Sequence, residues 1–204
     1  MQILVQKMTK NPLAKHLEGK KVILASGSPR RKKFFEDFGV DFEIRLKSVE
    51  EVYPENLKAA QISDFLAELK ASVFEGTLKK NEILITSDTV VWHNGESLAK
   101  ASNEQEAIKM LHKLSGQWHQ VITSVCFTTT TKRQTVNALT KVKFKVLTTQ
   151  EINFYIEKYK PFDKAGAYGI QEWIGAIGIE EINGAYNTVV GLPTHLVYKT
   201  LLEL

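Results

Sequence analysis

A short apolar run that passes through small residues into a proline constrains this chain more than any other stretch. Val22 to Ala25 reads as a buried strand, and Pro29 onward to Gly39 reads as a helix. Ser28 is a natural N-cap, Pro29 takes the first helical position where its missing N–H costs nothing, and Gly39 can close the helix in a left-handed turn. Unpaired N–H groups and the positive end of the helix dipole at such a turn favour an anion. Arg30 and Arg31 stand in that same first turn, against the dipole. A multiply charged anion, with Ser26, Ser28 and Arg30 donating hydrogen bonds to it, would account for them. An ordinary strand-to-helix turn with solvated arginines fits this stretch equally well.

The remainder alternates strands and helices. Phe42 to Leu46 reads as a second strand, leading into the acidic loop Val49 to Pro54. Ile62, Leu66, Leu69 and Val73 make the apolar stripe of a helix in which Lys70 interrupts an adjacent apolar row. Ile83 to Thr86 and Val90 to Trp92 flank Ser87-Asp88-Thr89, and Asn94-Gly95 signals a two-residue hairpin. Asp88 therefore lies in or beside a sheet, where an unpaired carboxylate is costly; a metal ion or a lysine is the partner its setting asks for. Asn103 with Glu106, and Thr148 with Glu151, form capping boxes for two helices, the first closing at Gly116 and the second ending near Tyr159. Between them, Val121, Val125 and Phe127 alternate on one strand, and Val136, Ala138, Val142, Phe144 and Val146 alternate on its return. Ala165 to Gly178 reads as loop with short strands, and Pro193 opens a final helix carrying Leu196, Val197 and Leu201.

The 204 residues, 43% of them hydrophobic, suffice for one core or two lobes of a single domain. A net charge of +4 suits an anionic substrate. Lys141, Lys143 and Lys145 share a strand face, but no stacking aromatics are interleaved with them, so a solvated face is expected and no stable nucleic-acid partner. Cys126 alone excludes an internal disulfide and reads as a core thiol. No segment approaches a membrane span, and residues 1–20 lack the apolar centre of a signal peptide; a cytoplasmic protein is expected. Those residues read as an N-terminal extension with a turn at Asn11-Pro12, and residues 21–204 as the domain.

The blocks Ser26-Gly27-Ser28-Pro29-Arg30-Arg31, Glu51, Lys70, Ser87-Asp88-Thr89, Lys100, Leu114-Ser115-Gly116, His119, Ala165 to Gln171 and Tyr186 to Pro193 follow in unbroken order. Together they resemble the Maf family of nucleoside triphosphate pyrophosphatases, over nearly everything after about Lys20. The resemblance implies α/β architecture: a mixed, twisted sheet in an elongated, two-lobed single domain with a central cleft, of the kind shared with inosine triphosphatases, and usually a homodimer. It places Lys70 facing the phosphates, and it ties Arg30, Thr89 and Gln171 to base specificity. It further implies cleavage of dTTP and UTP to the monophosphate and pyrophosphate, limiting misincorporation of non-standard nucleotides or affecting cell division.

On this reading Arg30, Arg31, Lys70 and Lys100 meet two carboxylates, Asp88 and Glu51. Carboxylates would repel a triphosphate unless a divalent cation lay between, and hard oxygen ligands suit magnesium or manganese, with cobalt a further candidate. Asp88 would bind that metal and take a proton from the attacking water, with Glu51 the second ligand. Gln171 can donate and accept at once, matching the imide edge of uracil or thymine. Two positions depart from the family pattern: Ala101 replaces a usual proline, and Glu172 replaces a usual glycine and adds a charge beside the base pocket. His119 fits a catalytic role or a hydrogen-bonded strand histidine; His195 reads as structural. Rival readings are a pyrophosphatase for 7-methyl-GTP or deaminated purine nucleotides, and a nucleotide-binding regulator without turnover. The glycine patterns of dinucleotide-binding and P-loop folds are absent.

Overall fold

The computed structural model describes residues 11–204, so the first ten residues of the expected extension lie outside it. The chain from Asn11 runs as α1 (Pro12–His16), β1 (Lys21–Leu24), α2 (Pro29–Asp37), β2 (Phe42–Ile44), α3 (Ala60–Ser72), β3 (Glu82–His93) and β4 (Glu96–Leu98). It continues through α4 (Glu104–Leu114), β5 (Trp118–Thr128), β6 (Arg133–Phe144), α5 (Thr149–Tyr159), α6 (Trp173–Gly178), β7 (Ile179–Asn183), α7 (Tyr186–Val190) and α8 (Thr194–Leu202). All seven strands join one open mixed sheet of order β2-β1-β3-β5-β6-β7, with β4 paired to β3. β1 is parallel to both β2 and β3; β3 with β5, β5 with β6 and β6 with β7 are antiparallel.

The register leaves a break that positions the site. On one edge of β3, β1 pairs only with Glu82 to Ile85, and β4 only with Val91 to His93. Among the described residues no strand covers Thr86 to Val90 on that edge. The segment stays rigid because β5 pairs with its other edge from Leu84 to Trp92.

Core residues collect in groups along the two long strands. Ile83 and Ile85 of β3 pack with Leu13 of α1, Phe35 of α2 and Val197 and Leu201 of α8. Leu84 packs with Ala67 and Ala71 of α3. Further along, Val91 and Val121 join Leu111 of α4, Ile152 and Tyr155 of α5 and Ile174 of α6. The open stretch of β3 lies between these two ends, which correspond to the two lobes expected. Leu13 is fully buried, so the helix after Asn11 belongs to the domain core; Asn11 caps it by accepting from the N–H groups of Leu13 and Ala14.

Several details differ from the sequence reading. Of the expected stripe on α3, Ile62 and Leu66 are buried but Leu69 and Val73 only half-buried, because the buried face turns towards Ser63, Ala67 and Ala71, small residues that let the helix approach the sheet closely. Asn103 caps α4, but Glu106 returns its carboxylate to the Ser102 N–H and hydroxyl, so the reciprocal box is shifted by one residue. Val146 falls beyond β6 and is 79% exposed. The segment from Ala165 to Gly178, expected as loop with short strands, ends in a helix, α6; β7 and α7, which follow it, were not foreseen.

Glycine lowers helix propensity, which is why α6 is hard to see, yet its Gly175 is required by packing. A Cβ there would fall 1.8 Å from the Ile170 carbonyl oxygen, a backbone atom that cannot swing away. Gly175→Ala is therefore expected to cost at least about 1–3 kcal/mol, the range for overpacking; equilibrium denaturation that left stability unchanged would contradict this packing.

Candidate active site

The turn after β1 forms as its residues dictate. Ser28 is the N-cap, its hydroxyl accepting from the Arg31 N–H at 3.4 Å, and Ser26 Oγ accepts from the Ser28 N–H at 3.2 Å. Arg31 then turns inward. Its Nε donates to the Gly191 carbonyl (2.9 Å), Nη2 to Thr89 Oγ1 (3.2 Å) and Nη1 to Ser26 Oγ (3.4 Å). One guanidinium thus ties the helix N-terminus to β3 and to the chain after α7, and two of its five N–H groups are left for a ligand. Burial lowers its pKa and nearby Asp88 opposes that shift; a guanidinium stays charged regardless. Arg30 points the other way, pairing with Asp163 at 3.1 Å.

On the opposite face of β3, α3 is held down by the Thr86 hydroxyl, which donates to the Ala67 carbonyl at 2.7 Å. One turn on, Lys70 reaches Asp88 Oδ1 at 2.6 Å and Glu51 Oε2 at 3.1 Å. Asp88 is 8% exposed, while Glu51 lies at the rim on the loop between β2 and α3. Arg45 anchors the start of that loop with a fork onto buried Glu82, at 2.8 and 3.1 Å. Burial raises the Asp88 pKa, and the Lys70 ammonium only partly offsets it.

Ser28, Arg30, Arg31, Lys70, Asp88, Thr89, Lys100 and Gln171 line a single cleft over the open stretch of β3. Ser26 stands just behind it, through Arg31. Lys100 is exposed and forms an isolated antiparallel bridge with Ala165, bringing the glycine-rich segment to the rim. Thr89 shares a hydrogen bond with Thr123 (2.9 Å). Gln171 is exposed at the cleft's far end.

Other sequence candidates sit elsewhere. His119 is 2% exposed, stacks on Phe144 and bonds to the Tyr168 hydroxyl at 2.7 Å. Burial, with His93 adding to it, brings its pKa down to about 3, so it stays neutral and supports the wall of the cleft through Tyr168. Cys126 is fully buried. Lys143 of β6 pairs with Glu180 and Glu181, and Lys145, just past the strand, with Glu151, which neutralises most of the basic row. Glu172 does not aim its charge at the base pocket: its carboxylate pairs with Lys164 at 3.1 Å and accepts from the Tyr155 hydroxyl. Sequence reasoning missed Asp163 and Lys164, both lining the cleft. Adjacent opposite charges just before Ala165 were the available signal, masked by the ordinary look of a solvated pair.

The two carboxylates converge on one point, the Lys70 ammonium. That donor set fits a hard divalent cation that keeps several waters and takes its other ligands from phosphate oxygens. Among the described residues no three or more His, Cys, Asp or Glu side chains are grouped to hold a metal by themselves.

Comparison with known proteins follows the same lines. The profile of the family described as "Maf-like protein" matches residues 21–204. A relative from Flavobacterium johnsoniae, named dTTP/UTP pyrophosphatase, is 55% identical over 94% of this chain and 99% of its own length. Its namesakes from Flavobacterium psychrophilum (55% identical, 94% and 98% covered) and Phocaeicola vulgatus (47%, 94% and 100%) are similar throughout. Among solved structures, the Ham1 protein of Staphylococcus aureus superposes with a TM-score of 0.44 at 16% identity, over 61% of this chain and 72% of that one.

The direction of the Asp88 shift has a stability consequence. A carboxyl whose folded pKa lies above its unfolded value contributes stability below the unfolded pKa, near 3.8, and loses it as pH rises through the folded one. Asp88→Asn is expected to be at least as stable as the natural protein at pH 7, the difference shrinking towards pH 4. Thermal melts showing a markedly less stable variant at pH 7 would mean that the Lys70 pair outweighs desolvation.

Proposed function

Because the chain belongs to the Maf family, whose similar members are named dTTP/UTP pyrophosphatases, we propose that it hydrolyses dTTP and UTP to the monophosphate and pyrophosphate in the cleft over β3. The observation that carries this reading is the convergence of Asp88 and, from the rim, Glu51 on Lys70, in a cleft that Lys70 and Asp88 line with Arg31 and Lys100. Lys70, Lys100 and the free N–H groups of Arg31 would neutralise and align the polyphosphate. Asp88 is the general base: water attacks the α-phosphorus, its proton passes to the Asp88 carboxylate, and the bond from that phosphorus to the bridging oxygen breaks. Pyrophosphate leaves with its charge held by the same cations.

Burial raises the Asp88 pKa and the Lys70 ammonium opposes that shift, so gaining a proton relieves the cost of the buried charge. A divalent cation held by Asp88 and Glu51, magnesium or manganese with cobalt a third candidate, would supply charge neutralisation on the phosphates and a lowered pKa for water. Gln171, with Arg30 and Thr89, is the base-reading group. No helix among the described residues is long and apolar enough to cross a membrane, and we place the protein in the cytoplasm as a homodimer by analogy with the family.

Two outcomes test this. Asp88→Asn is expected to fold and to lose turnover by about 100-fold or more, the scale of a lost general base; near-normal pyrophosphate release would refute the assignment. A panel of dTTP, UTP, CTP, deaminated purine triphosphates and 7-methyl-GTP, assayed with magnesium, manganese and cobalt, should give release chiefly from dTTP and UTP. Removing the metal by chelation should abolish it. Preference for a purine nucleotide, or binding without any monophosphate, would favour the rival readings.

A further inference from the structure

A chain of charged and polar groups runs along the wall of the cleft opposite β3, and the hydrolytic step makes no use of it. Tyr155 is fully buried in α5, and its hydroxyl accepts from the Gly169 N–H at 3.0 Å while donating to Glu172. The other oxygen of Glu172 takes Lys164 at 3.1 Å; Lys164, its side chain only 10% exposed, also holds Asp163 at 2.7 Å. Asp163 in turn holds Arg30 at 3.1 Å. Burial works to raise the Asp163 pKa, yet Lys164 and Arg30 together keep it below the ordinary value, so the carboxylate is charged at neutral pH.

The two ends of this chain are informative. One end is Arg30 and the other is the Gly169 to Gln171 segment, so the chain joins two of the residues assigned to base reading, Arg30 and Gln171. Gly169 is pressed between Glu172 and Gln171: a Cβ on it would lie 2.8 Å from Glu172 Cδ and 3.1 Å from Gln171 Nε2. Glu172 also donates its own N–H to the Gly169 carbonyl at 3.0 Å. The Lys164 and Glu172 side chains are largely covered, and hydrogen bonds to charged groups in such poorly solvated places are stronger and more directional than surface pairs, so they can hold a loop in one conformation; Asp163, more exposed, carries the link out to Arg30. A merely solubilising Glu172 would face water; this one is satisfied on both oxygens by groups that lead to the specificity residues.

We propose that Glu172, through Tyr155 and Lys164, is a positioning residue for base recognition: it fixes the Gly169–Gln171 loop and, by sharing Lys164, leaves Asp163 free to orient Arg30. This deepens the proposed function and rests on Gln171 and Arg30 reading the base. Without Glu172 the Tyr155 hydroxyl and Lys164 each lose a charged partner. Lys164 then falls to Asp163 alone and competes with Arg30 for it. Both ends of the base site loosen while Lys70, Asp88 and Lys100 keep their places.

The experiment compares kcat and KM for dTTP, UTP and CTP among the natural enzyme, Glu172→Gly, Glu172→Gln, Tyr155→Phe and Gln171→Ala, with magnesium. In Glu172→Gly the kcat/KM preference for dTTP over CTP is expected to fall about tenfold, carried by KM for dTTP, with kcat changing less than about threefold. Glu172→Gln, which still accepts from Tyr155, should recover part of the preference. Tyr155→Phe, which removes one oxygen and keeps the ring, should repeat the loss and carries the test should Glu172→Gly fail to fold. An equal loss on all three nucleotides, or an unchanged preference in both Glu172→Gly and Tyr155→Phe, overturns the proposal. If Gln171→Ala alone loses the preference, the base-reading assignment stands and only the role of Glu172 falls. If Gln171→Ala retains it, the assignment itself fails and the proposal with it.

Discussion

A carboxylate in the middle of a twelve-residue strand is the constraint on which this structure depends. Asp88 is only 8% exposed, so its charge needs a partner close by, and α3 brings one in Lys70 at 2.6 Å. Small residues at Ser63, Ala67 and Ala71 make that approach possible, and the Thr86 bond to the Ala67 carbonyl fixes its height. The pair does not remove the full cost of burying the charge, since the Asp88 pKa still stands above its ordinary value. A stored imbalance of this kind is what a site that takes up protons can use.

The same constraint explains why the sheet is interrupted where it is. A strand paired over Thr86 to Val90 on both edges would leave no room for a substrate. β1 stops at Leu24 and β4, ending at Leu98, reaches no further back along β3 than Val91, so the gap is open, and the carboxyl end of β1 delivers the N-terminus of α2 to it. Ligand sites in open α/β sheets favour this place, beyond the carboxyl ends of strands where the topology changes direction. Here β3 is parallel to β1 and antiparallel to β5. Arg31, bonded to Thr89 and Gly191, keeps the gap from closing or drifting.

Much of this was legible in the residues. The strand–turn–helix from Val22, the Asn94-Gly95 hairpin and the Thr148–Glu151 capping box are local devices whose chemistry is complete within a few residues, and each formed as read. The lysine interrupting an apolar row and the aspartate between apolar runs were separate puzzles in the sequence; their pairing is the common answer. What stayed hidden depends on tertiary contact. α6 carries Gly175 because the Ile170 carbonyl presses on it, and Gly178 lies against Leu147 and Phe144, contacts that no propensity scale can register. β7, rich in glutamate, is an edge strand whose charges meet Lys143 of its neighbour. Asp163, Lys164 and Glu172 look like surface charges until the fold buries the lysine among them. The charge of Glu172, which in sequence stood beside the base pocket, is turned into the wall and shared with Tyr155 and Lys164.

The most direct test is a crystal structure with magnesium and a dTTP analogue whose α–β bridge cannot be hydrolysed. The account predicts the polyphosphate over the open stretch of β3 against Arg31, Lys70 and Lys100, with Asp88 and Glu51 on the cation and Gln171 at the base. A triphosphate bound away from Asp88, or a cation held without either carboxylate, would contradict it.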